Sequence, residues 1–210
     1  MELEFTIPRK RPYKNVYQFK ITLLDTKPSV WRRIQVPESC TFYDLHIAIQ
    51  DAMGWKDSHL HCFEKRDQKA RWGYLEKVDC PYAAEEIREE NLPLFTTETP
   101  LPKFFKKKSD KMFYVYDFGD NWEHEVVLEK IFPKESKVKY PVCLEGELAC
   151  PPEDCGSIPG YYNCIEILER NNKEIDEELL AWIGYWDPDH FDPKEIIFTD
   201  PKKRFNESWG

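Results

Sequence analysis

Four residues offer the strongest chemistry in this chain: His59, His61, Asp120 and His124. Neutral imidazole is a good ligand for zinc, iron and nickel, and a carboxylate can complete a first-row metal shell. A metal held with one open position would activate water for hydrolysis. His59 and His61 share one face with Phe63 if HLHCFEK is a strand. His124 belongs to a run in which Trp122, His124, Val126 and Leu128 alternate with Glu123, Glu125, Val127 and Glu129. Strict alternation buries one face and wets the other, so Trp122 and His124 are expected inside. The four residues converge only if these two strands lie side by side. The competing reading gives His124 a hydrogen bond within the core and His59 a place in a turn. That reading is preferred, because no HExxH-type spacing backs a metal.

A second constellation joins a turn and a loop. Asp117 and Asp120 lie in the turn DFGDN. Its first letters match the magnesium motif of kinases, but neither a glycine-rich phosphate loop nor an HRD-like loop accompanies them. A turn with Gly119 in an unusual conformation and both aspartates bonded to backbone amides is the better reading. The stretch CPPEDCGSIPGY precedes a helix, where glycines can cradle an anion, but Glu153 and Asp154 would repel one. If this loop approaches the turn, Glu153 and Asp154 add carboxylates to those of Asp117 and Asp120. Such a cleft suits a divalent cation or a basic peptide better than a phosphate. Asp117, Asp120, Trp122, His124, Glu153 and Asp154 are therefore the candidate binding cleft.

Three further groups carry less. Cys143, Cys150, Cys155 and Cys164 are separated by six, four and eight residues, without the CxxC-like knuckle of a structural zinc site. Buried free thiols are expected instead. WDPDHFDP lacks the glycine and glutamate of an EF-hand loop and reads as capping turns. Arg32 and Arg33 beside Trp31, Lys103 and Lys106–Lys108 among Phe104 and Phe105, and Lys202–Arg204 interleave basic and aromatic residues, as single-strand binders do. A solvated charged loop is the preferred account.

The elements that must position these groups are legible by period. Residues 15–24 alternate with Tyr17, Phe19, Ile21 and Leu23 on one face, and Val30, Arg32, Ile34 and Val36 share a face of a second strand. Together they predict an antiparallel hairpin. A helix follows, capped by Thr41 with Asp44 in its first turn. Its apolar stripe is Phe42, Leu45, Ile49, Ala52 and Met53, and Gly54 closes it. Residues 59–65 and 71–75 read as third and fourth strands. Residues 76–110, with four prolines and dense charge, read as a loop-rich surface insertion holding a short helix at 83–90. Residues 141–160 read as irregular, 161–170 and 176–183 as helices, WDPDHFDPKEIIFTDP (186–201) as turn-rich with one strand at 196–199, and 194–210 as a C-terminal tail.

A chain of 210 residues with 41% hydrophobic and 15% aromatic content can build one packed domain, taken to span 1–210. A net charge of −9 disfavours nonspecific contact with nucleic acid or anionic membrane. The N-terminus shows no secretory h-region, and no apolar run approaches the ~18 residues of a membrane span. With an odd number of cysteines, seven, a cytoplasmic setting with reduced thiols is expected.

The segments PSVWRRIQVP, DAMGW, HLHCFE, YDFGDNWEHEVVLE and CLEGELACPPEDCGSIPGY occur in that order, from about Asn15 to Pro193. They resemble the plasmid pRiA ORF-three-like family of prokaryotic proteins. The resemblance implies a compact α+β domain and brings no catalytic residues to carry over. Some members bear a mobile-element or resolvase label. Here no nucleophilic serine among basic residues supports it. A hairpin followed by a helix across its sheet is the opening of a β-grasp-like fold. The expectation is an α+β, β-grasp-like mixed sheet with a packed helix, a long surface insertion and C-terminal helices. The expected function is a non-catalytic binding or interaction module, without a cofactor, for a protein or peptide partner. The alternatives are a metal-assisted hydrolase and a nucleic-acid-binding protein.

Overall fold

A computed structural model describes residues 5–70, 73–83, 93–169 and 181–209. The fold is α+β. Strands β1 (Asn15–Leu23), β2 (Trp31–Pro37), β3 (His61–Arg66), β4 (Tyr74–Asp79), β5 (Leu94–Phe95), β6 (Lys111–Tyr116), β7 (Trp122–Pro133) and β8 (Val142–Glu147) form one sheet of order β5-β4-β3-β6-β7-β1-β2-β8. Neighbours are antiparallel except β4 and β5. The hairpin β1–β2 leads into helix α1 (Phe42–Met53), the opening on which the β-grasp-like reading rests.

Local chemistry accounts for α1. Thr41 Oγ1 accepts from the Asp44 amide, and Asp44 accepts in return from the Thr41 amide, so two orphan donors are satisfied reciprocally. Gly54 ends the helix at φ 93°, a conformation that costs glycine little. The helix lays Phe42, Leu45, Ile49, Ala52 and Met53 against the apolar face of the sheet. In β7, Trp122, His124, Val126 and Leu128 are buried while Glu123, Glu125, Val127 and Glu129 are partly exposed. On the face away from the core, Arg33 pairs with Glu129 and Glu145, and Arg66 pairs with Glu64 and Glu123.

Several elements differ from the expectation. Residues 142–147, expected to be irregular, form the edge strand β8 against β2. An edge tolerates Gly146 and the flanking Pro141, because the backbone need pair on one side only. Helix α2 (Ser157–Glu169) starts four residues before the expected position. Pro159 fits a first turn, where its missing N–H costs nothing. A Cβ at Gly160 would lie 1.7 Å from the Cys155 carbonyl oxygen, so glycine is required there by close approach. The stretch 186–201 is turn-rich as expected, with Asp187 accepting from the Asp189 amide and Asp192 from that of Lys194. Residues 196–199 hold no strand, and Pro201–Trp209 form helix α3. Asp200 accepts from the Lys202 and Lys203 amides as its cap, and Phe205 packs edge-on to Tyr43 at 5.5 Å. Of the helix expected at 83–90, only residue 83 lies within the described residues; of that at 176–183, only the end does.

Residues 76–110 are less of a surface insertion than their prolines and charges indicate. Phe95, Leu101 and Phe105 are buried, and the Phe105 ring meets Phe19 edge-on at 4.7 Å. Leu101 and Phe105 outweigh the local composition because they join the main core, where Phe105 stacks on Phe42. Phe105→Ala is therefore expected to cost about 3–5 kcal/mol in urea unfolding. A loss below about 1 kcal/mol would return this stretch to the surface.

Candidate functional site

The turn between β6 and β7 is built from residues that accept left-handed backbone. Asp117 has φ 54° and Asn121 φ 57°, and both side-chain types tolerate that region. Asp117 Oδ1 accepts from the Gly119 amide at 2.8 Å. Asp120 turns outward, and its Oδ2 accepts from the Gly156 amide at 3.0 Å. That bond ties the turn to the loop 149–156. His59 lies at the same junction: its Nε2 is 2.8 Å from Asp154 Oδ1 and 3.7 Å from Asp117 Oδ2, without hydrogen-bond geometry to either. Glu153 Oε1 accepts from Tyr116 Oη at 2.9 Å and from the Lys56 amide at 2.8 Å. The Ser58 amide in turn donates to Tyr116 Oη. Three loops, 54–60, 117–121 and 149–156, thus meet around Asp117, Asp120, Glu153 and Asp154. Trp122 and His124 are 1% and 0% exposed and lie beneath this cleft rather than lining it. Both pack on Trp55, at 6.0 and 5.3 Å.

The set His59, His61, Asp120 and His124 is not one shell. It required β3 beside β7, but β6 lies between them. His61 faces Tyr116 and His124 faces Tyr114 across the two edges of β6. Two strand spacings separate the imidazoles' strands, on the order of 10 Å, too far for a shared ion. His59 precedes β3 and pairs in the cleft instead, while Asp120 caps Gly156.

His61 belongs to a different group, with His46 and Asp57. The His46 and His61 rings stack at 3.5 Å and 9°. His46 Nε2 is 2.7 Å from Asp57 Oδ1, and Nδ1 is 2.8 Å from Tyr114 Oη. Gln50 closes the network, donating to Tyr114 Oη and accepting from the Asp57 amide. Lone pairs of imidazole lie in the ring plane, and these two planes run nearly parallel with ring centres 3.5 Å apart, so no single ion lies in the plane of both rings. His46, Asp57 and His61 are sealed from solvent, and burial pushes His61 well below the usual histidine value, with the neighbouring His46 adding to the shift. This group is a structural network. The sequence reading missed His46 because it counted only the apolar stripe. Its signal is the i, i+4 spacing Phe42, His46, Gln50, which puts both polar residues on the core face.

Beside the cleft is a cavity of about 410 Å³ between Trp55, residues 149–153 and the segment 182–196. The Trp55 indole donates to the Pro151 carbonyl at 3.0 Å, and the Trp186 indole to that of Cys150 at 2.9 Å. Arg32 and Phe191 complete its walls. Around its rim Glu195 pairs with His190 at 2.7 Å, and Asp192 caps the amide of Lys194. Neither Trp186 nor Arg32 was singled out for a cavity by spacing. Arg32 looked like one member of a basic patch, yet its place on the inward face of β2 was readable from its alternation with Ile34. All seven cysteines carry free thiols, and burial raises Cys150 well above the ordinary thiol value. No helix among the described residues is long and apolar enough to cross a membrane.

The comparisons agree on lineage. Residues 15–195 match the family described as "Plasmid pRiA4b ORF-3-like protein". The chain is 36% identical over 180 residues to the "Uncharacterized protein y4hQ" of Sinorhizobium fredii (strain NBRC 101917 / NGR234), covering 83% of this chain and 84% of that one. It is also similar to a solved structure, a protein of unknown function, MM3350, from Methanosarcina mazei Go1. There the TM-score is 0.75 at 39% identity, over 89% of this chain and all of the other. With a family match across most of its length and relatives well above 30% identity, this chain belongs to the plasmid pRiA4b ORF-3-like family.

Proposed function

We propose that this chain is a cytoplasmic binding module, and not an enzyme, that takes its ligand in the cavity joined to the acidic cleft through Glu153. The observation that carries this reading is an aromatic-walled cavity whose rim acids are already partnered. Glu153 is held by Tyr116 and the Lys56 amide, Glu195 by His190, and Asp192 by the Lys194 amide. Shaped apolar walls with a few placed polar groups are what ligand binding needs. Trp182 and Tyr185, 47% and 106% exposed, add apolar surface beside the cavity that suits a protein or peptide partner. A β-grasp-like sheet agrees with that role, since such sheets serve as platforms. The free thiols agree with a reducing compartment. For nucleic-acid binding, Arg32 is buried and Arg33 is paired with two glutamates, so neither lends support, and the exposed basic loop Lys106–Lys108 remains for it.

Titration of a fragment and peptide set, followed by indole NMR signals, is expected to move the Trp55 and Trp186 resonances together, with no ligand consumed. Trp186→Ala should weaken binding by about tenfold or more, as loss of a buried aromatic wall does. Turnover of any bound compound would make the protein an enzyme and overturn this reading.

A second reading rests on His59, Asp117 and Asp154, whose ligand atoms lie within 4.8 Å of one another. Metal–ligand bonds of ~2.1 Å set ligand–ligand edges of ~3.0–3.4 Å. The observed separations of 2.8 and 3.7 Å from His59 Nε2 bracket that range. With one imidazole and two carboxylates the set favours Mn²⁺ or Zn²⁺ and leaves positions open for water. Protein purified without chelator should hold about one equivalent of metal, lost in Asp117→Asn with little change in fold. Metal content near zero, with no uptake on titration of Zn²⁺ or Mn²⁺, would remove it.

A further inference from the structure

Arg32 is 2% exposed. Its Nε donates to the Ala52 carbonyl at 2.8 Å, and its Nη1 donates to the carbonyls of Trp31 at 2.8 Å and Glu147 at 3.0 Å. The Phe191 ring covers the guanidinium at 3.9 Å. Gly146 permits that contact, because a Cβ there would lie 2.5 Å from the Phe191 ring. Among the described residues no carboxylate comes within ion-pair distance of Arg32, and neither hydrogen of Nη2 meets an acceptor. Arginine stays charged in proteins. A buried cation without a counter-ion is costly, and carbonyl dipoles offset the charge only in part. The side chain forms part of the wall of the 410 Å³ cavity. Its uncompensated charge therefore meets a space large enough for a ligand.

We propose that the cavity binds an organic carboxylate, its oxygen on Arg32 Nη2 and its flat apolar body against Trp55 and Trp186. Both indole N–H groups are engaged by loop carbonyls, so toward a ligand these rings offer apolar surface. A monoanion fits better than a phosphate because Glu153, Asp192 and Glu195 border the cavity and repel a dianion more strongly than a monoanion. The inference rests on the reading of this cavity as the binding site.

The test is calorimetric titration of the full chain, with indole NMR, using N-acetyltryptophan and its neutral amide. The acid is expected to bind at least tenfold tighter than the amide. Arg32→Met should erase that ratio. Because Arg32 is buried and its replacement threatens folding, the acid-to-amide ratio in the unmodified protein is the deciding measurement. Equal binding of acid and amide overturns the role of Arg32 and leaves the cavity as a ligand site. No binding of either, with the Trp55 and Trp186 signals unmoved, overturns both readings. Tighter binding of phenyl phosphate overturns the assignment to carboxylates. A parallel titration with 3-phenylpropionate assigns the source. Affinity equal to that of the N-acetyl acid points to a free small acid, and much weaker affinity points to the C-terminus of a peptide; either result supports the carboxylate.

Discussion

Asp57→Ala should cost about 3–5 kcal/mol of folding free energy, the loss expected when one member of a buried pair is removed. Asp57 Oδ1 lies 2.7 Å from His46 Nε2, and neither side chain has any solvent exposure. Without the carboxylate, His46 Nε2 faces a cavity that offers no water by default. The stacked ring of His61 at 3.5 Å cannot replace the bond, because a ring face is no acceptor for an in-plane N–H directed along it. The network then loosens at its other end, where Tyr114 Oη bonds both His46 and Gln50. Asp57 also has φ 60°, so alanine adds backbone strain that asparagine does not. Asp57→Asn separates the two effects and should recover part of the loss. Urea unfolding of the three proteins measures it. A loss under about 1 kcal/mol for Asp57→Ala would show that the network contributes little.

Stability should also fall steeply on mild acidification. Burial holds His124 at about 4, against a usual value of 6.5, and holds His61 well below 6.5. Both are neutral in the folded protein and take a proton in the unfolded chain once pH drops below 6.5. The stabilisation is thus fully present above pH 6.5 and is lost as pH falls toward 4. For His124 alone the change between pH 7 and pH 4.5 is about 2–3 kcal/mol. His124→Phe should remove this component while keeping the ring packing on Trp55, 5.3 Å away. Little hydrogen bonding is lost by the change, since the contact of Nδ1 with the Tyr114 carbonyl, at 3.4 Å, is long. Unfolding free energies at the two pH values in both proteins check the effect. An equal drop in His124→Phe would assign the acid sensitivity to other groups.

Residues whose position follows from local rules were readable without a structure. The capping box of Thr41 and Asp44, the left-handed Gly54, the alternation of Trp122 to Glu129 and the hairpin of β1 and β2 each depend on neighbours within a few positions. Strand β8 and helix α3 were less legible for the opposite reason. Gly146 and Pro141 are tolerated only because β8 is an edge. The Asp200–Pro201 start of α3 was a readable cap, but its burial against Tyr43 needs a distant partner. The aromatic residues of 76–110 were visible; that they enter the core was not.

For the candidate site the division is sharper. Burial of His124 and the bonding of Asp117 to a backbone amide were determined by the sequence itself, through period-two alternation and the turn chemistry of aspartate, but the unusual backbone expected at Gly119 falls at Asp117 and Asn121 instead. Which residues meet was decided by the order of strands in the sheet. A strand's period states which face a side chain takes, but nothing about which strand lies alongside. With β6 inserted between β3 and β7, His61 and His124 separate, His61 meets His46 from α1, and His59 pairs with Asp154 from a loop 95 residues away. The uncompensated charge of Arg32 is likewise a tertiary fact. Alternation turned it inward, but the absence of a carboxylate near it among the described residues depends on what α1, β8 and residues 149–153 bring to the same place.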